Sequence, residues 1–183
     1  MPCRARCAIH WAFAAEHPDG RNVPLFQHET GAGARSADTV QQEIFMTDPR
    51  PANVPWLTPY LAVRNARAAI EFFQAAFGFT VRDVHDEDGA IMHVEMAYRG
   101  QLIVMFAPEG AFGSPALTPK HANATAPQSF YLYVDDVDAT WQRALDAGAK
   151  SLSAPQDQFW GDRFAQIEDL DGYRWALGCR LDA

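Results

Sequence analysis

His93 and Glu95 stand two residues apart in a largely apolar run, a spacing that puts both side chains on one face of a β-strand. An imidazole beside a carboxylate can hold a divalent metal or pass a proton. It can equally be a hydrogen-bonded couple on a partly exposed sheet face. A second set of residues is aromatic: Tyr60, Phe106, Tyr131 and Tyr133 lie in strand-like runs, and Trp160 sits in a loop ahead of another. Tyrosine offers an apolar ring with a hydroxyl handle, and aromatic faces attract cations. Such a surface suits a small flat or cationic ligand, with His93, Glu95 and Arg174 fixing its polar ends. The same rings also suit a subunit interface. Asp162 beside Arg163 reads as an ion pair that shapes the Trp160 loop, and His85 to Asp88 reads as a solvated charge cluster. Cys3, Cys7 and Cys179 make neither a disulfide framework nor a tetrahedral zinc set, even with His10 and His17 nearby. Cys179, ending an apolar strand, reads as a small core residue.

The elements that must position these residues occur twice. Leu61-Ala62-Val63-Arg64-Asn65 leads into Ala66 to Phe77 and stops at Gly78. Leu132-Tyr133-Val134-Asp135-Asp136 leads into Val137 to Ala147 and stops at Gly148. Asn65 and Asp136 can cap helix N-termini, and the glycines can close the helices in a left-handed conformation. Ile70, Phe73 and Phe77, and then Val137, Trp141, Ala144 and Leu145, form apolar stripes. Strands are expected at 79–85, 90–98 and 101–107, with Asp88-Gly89 and Arg99-Gly100 as turns. A second set is expected at 149–153, 163–168 and 173–179, with Asp171-Gly172 as the last turn. The fold class is α+β: two tandem βαβββ modules forming a curved mixed β-sheet cavity with helices outside. Alternation puts Leu57, Leu61, Val63, Leu132, Val134, Trp175 and Leu177 toward the helices. It puts Thr58, Tyr60, His93, Glu95, Val104, Phe106, Ser129, Tyr131, Tyr133, Gln166, Arg174 and Ala176 on the concave face.

Thr58-Pro59-Tyr60-Leu61-Ala62-Val63, the segment Ala69-Ile70-Glu71-Phe72-Phe73 closing at Phe77-Gly78-Phe79, and Tyr133 to Asp138 carry a resemblance. So do Phe159-Trp160-Gly161-Asp162-Arg163 and Glu168 to Trp175. From about Pro55 to Leu181 the chain resembles the glyoxalase/bleomycin-resistance/dioxygenase group, the vicinal oxygen chelate superfamily, and within it an uncharacterised glyoxalase-like branch. Enzymes of that group carry His, Glu or Gln early in the first strand of each module and midway along the last. Matched onto this chain, those places are Thr58, Val104, Ser129 and Ala176, of which two have no donor atom and two are neutral hydroxyls. A slip of one residue brings in Leu57, Pro59, Ile103, Met105, Gln128, Phe130, Trp175 or Leu177, and only Gln128 offers an oxygen ligand. The expectation is therefore no metal and no cofactor. The resemblance implies a metal-free protein that sequesters an aromatic or cationic compound, as the bleomycin-resistance members do, and a homodimer. Two alternatives stand beside it: an enzyme whose metal site is absent or rebuilt on His93 and Glu95, and a regulatory dimer with a vestigial cavity.

The chain has 183 residues, of which 48% are hydrophobic, enough to bury one sizeable core. A net charge of −8 argues against nucleic acid, whose binding relies on Lys and Arg neutralising phosphates. No apolar run approaches the roughly 18 residues of a membrane span, and Cys7 to Ala15, interrupted by His10, is a poor secretory signal. A cytoplasmic protein is expected. Residues 1–48 lack sustained periodicity and read as a disordered leader, or Met46 is the natural start. The domain is placed at 49–183, with module one at 55–108, a Pro- and Gly-rich linker at 109–128, and module two at 129–181.

Overall fold

A computed structural model describes residues 48–181, so the expected leader and its Cys3 and Cys7 lie, but for Asp48, outside the described residues. Module one runs β1 (Tyr60–Val63), α1 (Ala66–Phe77), β2 (Thr80–Glu87), β3 (Ala90–Tyr98) and β4 (Gln101–Pro108). Module two runs β5 (Ser129–Tyr133), α2 (Val137–Asp146), β6 (Lys150–Asp157), β7 (Asp162–Glu168) and β8 (Arg174–Arg180). Each module makes one four-stranded mixed sheet, in the orders β1-β4-β3-β2 and β5-β8-β7-β6. In each the first strand lies parallel to the last, while the remaining pairs are antiparallel. The α+β class and the tandem βαβββ order are those expected from the repeat.

Local chemistry explains the helix limits. The side chains of Asn65 and Asp136 accept the backbone N–H groups of Ala68 and Ala139, satisfying orphan donors of the first turn. Gly78 closes α1 at φ +70°, and its N–H donates to the Gln74 carbonyl. In α2 Ala147 takes the cap position and Gly148 follows at φ +101°. Among the described residues no helix is long and apolar enough to cross a membrane.

The helix-facing sides of both sheets share one core. Phe72, Phe73 and Phe77 of α1 and Phe79 beyond it meet Phe106 of β4 and Trp175 of β8. The Trp175 ring lies 5.0 Å from Phe77, 5.5 Å from Phe73 and 4.9 Å from Phe130, and the residue is 3% exposed. A module-two side chain thus fills the aromatic cluster of module one. Its indole N–H would be stranded there, but it donates to Asp169 Oδ2 at 2.9 Å. The other oxygen of Asp169 accepts from the backbone N–H groups of Asp171 and Tyr173, 3.0 and 2.9 Å away.

The turn built on Asp169 also grips module one. Asp171 accepts from Arg64 Nε at 2.9 Å, Arg64 Nη2 donates to the Leu170 carbonyl, and the Tyr173 hydroxyl donates to the Ala62 carbonyl at 3.0 Å. Gly172 sits at φ +92°, and a Cβ there would meet the Lys120 backbone nitrogen at 3.0 Å. A side chain at 172 would be strained by that φ and pressed against the linker.

Burial pushes the Asp169 carboxyl up to about 6, against the downward pull of the Trp175 indole and the two backbone amides. That value lies above the roughly 4 of an unfolded aspartate. The stability this group contributes is therefore fully present below about pH 4 and is lost as pH rises through the folded value. Carbon-detected NMR of the Asp169 side chain should give a titration midpoint near 6. A midpoint at or below 4 would show that the donors outweigh burial.

Candidate functional site

Trp175 pointing into the core fixes the phase of β8, so Arg174, Ala176 and Gly178 belong to the opposite, concave face. Register brings Ser129, Tyr131 and Tyr133 of β5 beside them on one flank, and Glu168, Gln166 and Phe164 of β7 on the other. The Tyr131 ring lies across Gly178, where a Cβ would stand 2.5 Å from Tyr131 Cε1. Glycine at 178 is what lets the ring lie down. Tyr131 then contacts Tyr133 and Phe164, with centroids 5.1 and 6.0 Å apart, and Phe164 meets Trp160 edge-on at 5.7 Å. Tyr131, Tyr133 and Trp160 keep much of their surface exposed, at 46%, 56% and 41%. The result is an open aromatic wall.

Asp162, 2% exposed, organises that wall. Its Oδ2 accepts from both the Tyr131 and Tyr133 hydroxyls, at 2.9 and 3.2 Å, and Arg180 Nη1 reaches Oδ1 at 3.4 Å. Arg180 also donates to the Trp160 carbonyl at 3.2 Å, tying the loop to the same carboxylate. Burial and the adjacent Asp162 carboxylate both raise the Tyr131 and Tyr133 hydroxyls above their ordinary range. Both stay protonated donors at neutral pH.

Module one carries a different arrangement. Tyr60 stacks on His93 with centroids 5.4 Å apart, and its hydroxyl shares a 2.8 Å hydrogen bond with His93 Nδ1. His93 Nε2 lies 3.8 Å from Glu95, whose other oxygen is 3.4 Å from Arg82 Nε. Burial raises the Tyr60 hydroxyl. The structure therefore brings Tyr60, His93 and Glu95 together in one sheet, and Tyr131, Tyr133, Trp160 and Arg174 on the concave side of the other.

Phe106 does not belong with them. It is fully buried against Phe73, and Val104 lies in the same core. Pairing of Leu61 with Phe106 and of Tyr60 with Met105 shows that Ile103 and Met105 are the concave residues of β4. The run Leu102 to Phe106 is apolar throughout, so nothing in its composition sets the phase. Leu57, expected to face the helices, is 85% exposed ahead of β1. Arg163 does not pair with Asp162 but forks onto Asp138 and reaches Asp157, because adjacent strand residues point to opposite faces. The rule that put Gln166 on the concave face also reaches Phe164 and Asp162, two and four residues back, and those two were the missing parts of the wall.

A divalent metal does not fit the places where relatives of this fold hold one. Thr58 and Ser129 offer only hydroxyls, Ala176 offers nothing, and β4 presents Ile103 and Met105. Among the described residues no group of three His, Cys, Asp or Glu side chains comes together to hold an ion. Two concavities lie away from the aromatic wall. One of about 470 Å³ is lined by Arg50, Val54, Trp56 and Gln101, and one of about 260 Å³ by Leu117, Pro119, Pro127 and Tyr173.

Known proteins share this architecture. An uncharacterised protein of Mycobacterium bovis is 37% identical over 127 residues, which cover 68% of this chain and 82% of that one. An uncharacterised protein of Mycobacterium tuberculosis matches at 37% over the same length, 74% of its own chain. The crystal structure of TioX from a Micromonospora species is 25% identical with a TM-score of 0.53, covering 68% of this chain and 98% of TioX. A glyoxalase/bleomycin resistance protein/dioxygenase family enzyme of Burkholderia phytofirmans has the same fold at 16% identity and a TM-score of 0.54, covering 70% and 98% of the two chains. The family model of these proteins matches residues 54–177, both modules complete to the middle of β8, and the chain belongs to the glyoxalase/bleomycin resistance protein/dioxygenase superfamily.

Proposed function

We propose that this chain is a metal-independent binding protein that sequesters a small aromatic compound on the concave face of module two, in the manner of bleomycin-resistance members of the superfamily. The observation that carries the reading is the buried Asp162, which holds two exposed tyrosines and, through Arg180, the Trp160 loop. A carboxylate already engaged by three donors has little capacity left for a cationic ligand, whereas the ring faces remain open. Stacking on such rings contributes about 0.5–1.5 kcal/mol per ring beyond the area buried. Hydroxyls with fixed partners keep the rings pre-organised, so little side-chain entropy is lost on binding.

Both concave faces expose large apolar side chains, Tyr60 in one sheet and Tyr131 and Tyr133 in the other. Surfaces of this kind are normally covered, and a second copy of the chain, closing each open face into a cavity, meets the need. Proton transfer is a second reading, favoured by the contact between the Tyr60 hydroxyl and His93. Replacing Tyr60 by Phe would remove it without disturbing the module-two wall.

Three outcomes follow from the proposal. In a thermal-shift and calorimetric screen of aromatic compounds, Trp160→Ala should weaken the best binder about tenfold while the circular dichroism spectrum stays unchanged; unaltered affinity would remove Trp160 from the site. Elemental analysis of purified protein should find no stoichiometric Ni, Zn, Fe or Mn, and one tightly held ion per chain would contradict metal independence. Light scattering at micromolar concentration should give twice the chain mass, and a monomer mass would leave both faces uncovered.

A further inference from the structure

Arg174 forms no ion pair among the described residues. Its side chain leaves β8 on the concave face, between Ser129 of β5 and Glu168 of β7 in the register. Its Nε is buried, yet no described residue accepts a hydrogen bond from it, and Glu168 forms no ion pair with it. Arg50 and Arg163, the other partly buried arginines among the described residues, each hold at least one carboxylate. Thr58 and Ser153 also have buried hydroxyls without partners. Those are neutral, and leaving them unpaired costs far less than stranding part of a guanidinium.

The place of this charge matters. Arg174 precedes Ala176, the register partner of Tyr131, by two residues, a rise of about 6–7 Å along a strand. Ala176 is too small to separate the guanidinium from the aromatic wall, and Tyr131 leans the other way, over Gly178. A planar cation therefore stands one short spacer from a stack of rings. Guanidinium groups bind carboxylate and phosphate oxygens two at a time through a rigid fork, a geometry that a neutral acceptor matches poorly. The buried carboxylate of the wall, Asp162, is already occupied by Tyr131, Tyr133 and Arg180 and leaves a cationic ligand little to bind there. Glu168, the other acid of this face, flanks Arg174 in the register rather than the rings.

We infer that the ligand of the module-two face is an aromatic compound bearing an anionic group on a short spacer, with Arg174 as the residue that selects the anion. The inference rests on the binding reading given above and narrows it from aromatic compounds in general to aromatic acids. Arg174 is then a specificity residue, because the rings supply contact area for any flat ligand while the unpaired guanidinium favours an anionic one.

The test uses three probes that share one ring system and differ in charge: naphthylacetate, naphthylacetamide and naphthylethylamine. Their affinities for the full-length protein are measured by titration calorimetry. The acid should bind at least about tenfold more tightly than the amide, and the amine should bind most weakly. In Arg174→Gln the acid should fall to the level of the amide while the amide is unchanged. Arg174→Lys should keep part of the gap, and Arg67→Gln, which alters an exposed arginine of α1, should keep all of it. Equal affinity for acid and amide in the unaltered protein, or a gap that survives Arg174→Gln, would overturn the inference. If all three probes bind equally and Tyr131→Ala weakens them all, the aromatic site stands and only the anion selection fails. If no probe binds in a way that depends on Tyr131, the binding reading falls and this inference falls with it.

Discussion

The insertion of Trp175 into the aromatic cluster of α1 is the contact on which the rest of the molecule depends. Burying an indole there is favourable only if its N–H finds an acceptor away from water, and Asp169 supplies it. Asp169 is itself buried and tolerable only because two backbone amides of its own turn complete its shell. That turn carries Asp171 and Tyr173, which reach Arg64 and the Ala62 carbonyl at the end of β1. One tryptophan, one carboxylate and one turn thus fasten module two to module one. The same contact decides what faces outward. With Trp175 and Leu177 inside, Arg174, Ala176 and Gly178 must lie on the concave side, and the floor of the candidate site is set by a core residue.

The two concave faces have diverged although their topology repeats. Tyr60 and Tyr131 occupy matching places, each two residues along from a hydroxyl-bearing residue in the first-strand region. Tyr60 meets an imidazole with a carboxylate and Arg82 behind it, a chain of groups able to relay protons. Tyr131 meets a buried carboxylate that also holds Tyr133, an arrangement that fixes rings and consumes charge. Among the described residues neither face gathers three His, Cys, Asp or Glu side chains that could hold an ion. The two faces therefore differ in how rings, hydrogen bonds and single charged groups are arranged rather than in a shared ligand set.

Much of this was legible in the sequence. The repeat was plain because each copy spells strand, cap, helix and glycine in the same order, and each of those signals has a local physical cause. Tyr131, Tyr133 and Arg174 were placeable because β5 and β8 alternate between apolar and polar or small residues. Phe106 was not, since Leu102 to Phe106 is apolar on both faces and only pairing with β1 reveals the phase. Asp162 was misread for another reason. Adjacent opposite charges invite pairing, but neighbours on a strand point apart, and Arg163 finds Asp138 of α2 and Asp157 of β6 instead. The role of Gly178 depends on where a ring from another strand comes to rest, and no local pattern encodes that.

The central claim is that ligand meets the wall of Tyr131, Tyr133, Trp160 and Phe164. Backbone and aromatic NMR shifts of labelled protein, recorded while an aromatic binder is titrated, test it most directly. The account predicts that the largest changes fall on β5, on β7 and on the loop that carries Trp160. Changes concentrated on Leu117, Pro127 and Tyr173, or on Arg50 and Trp56, would place the ligand in one of the other concavities and contradict it.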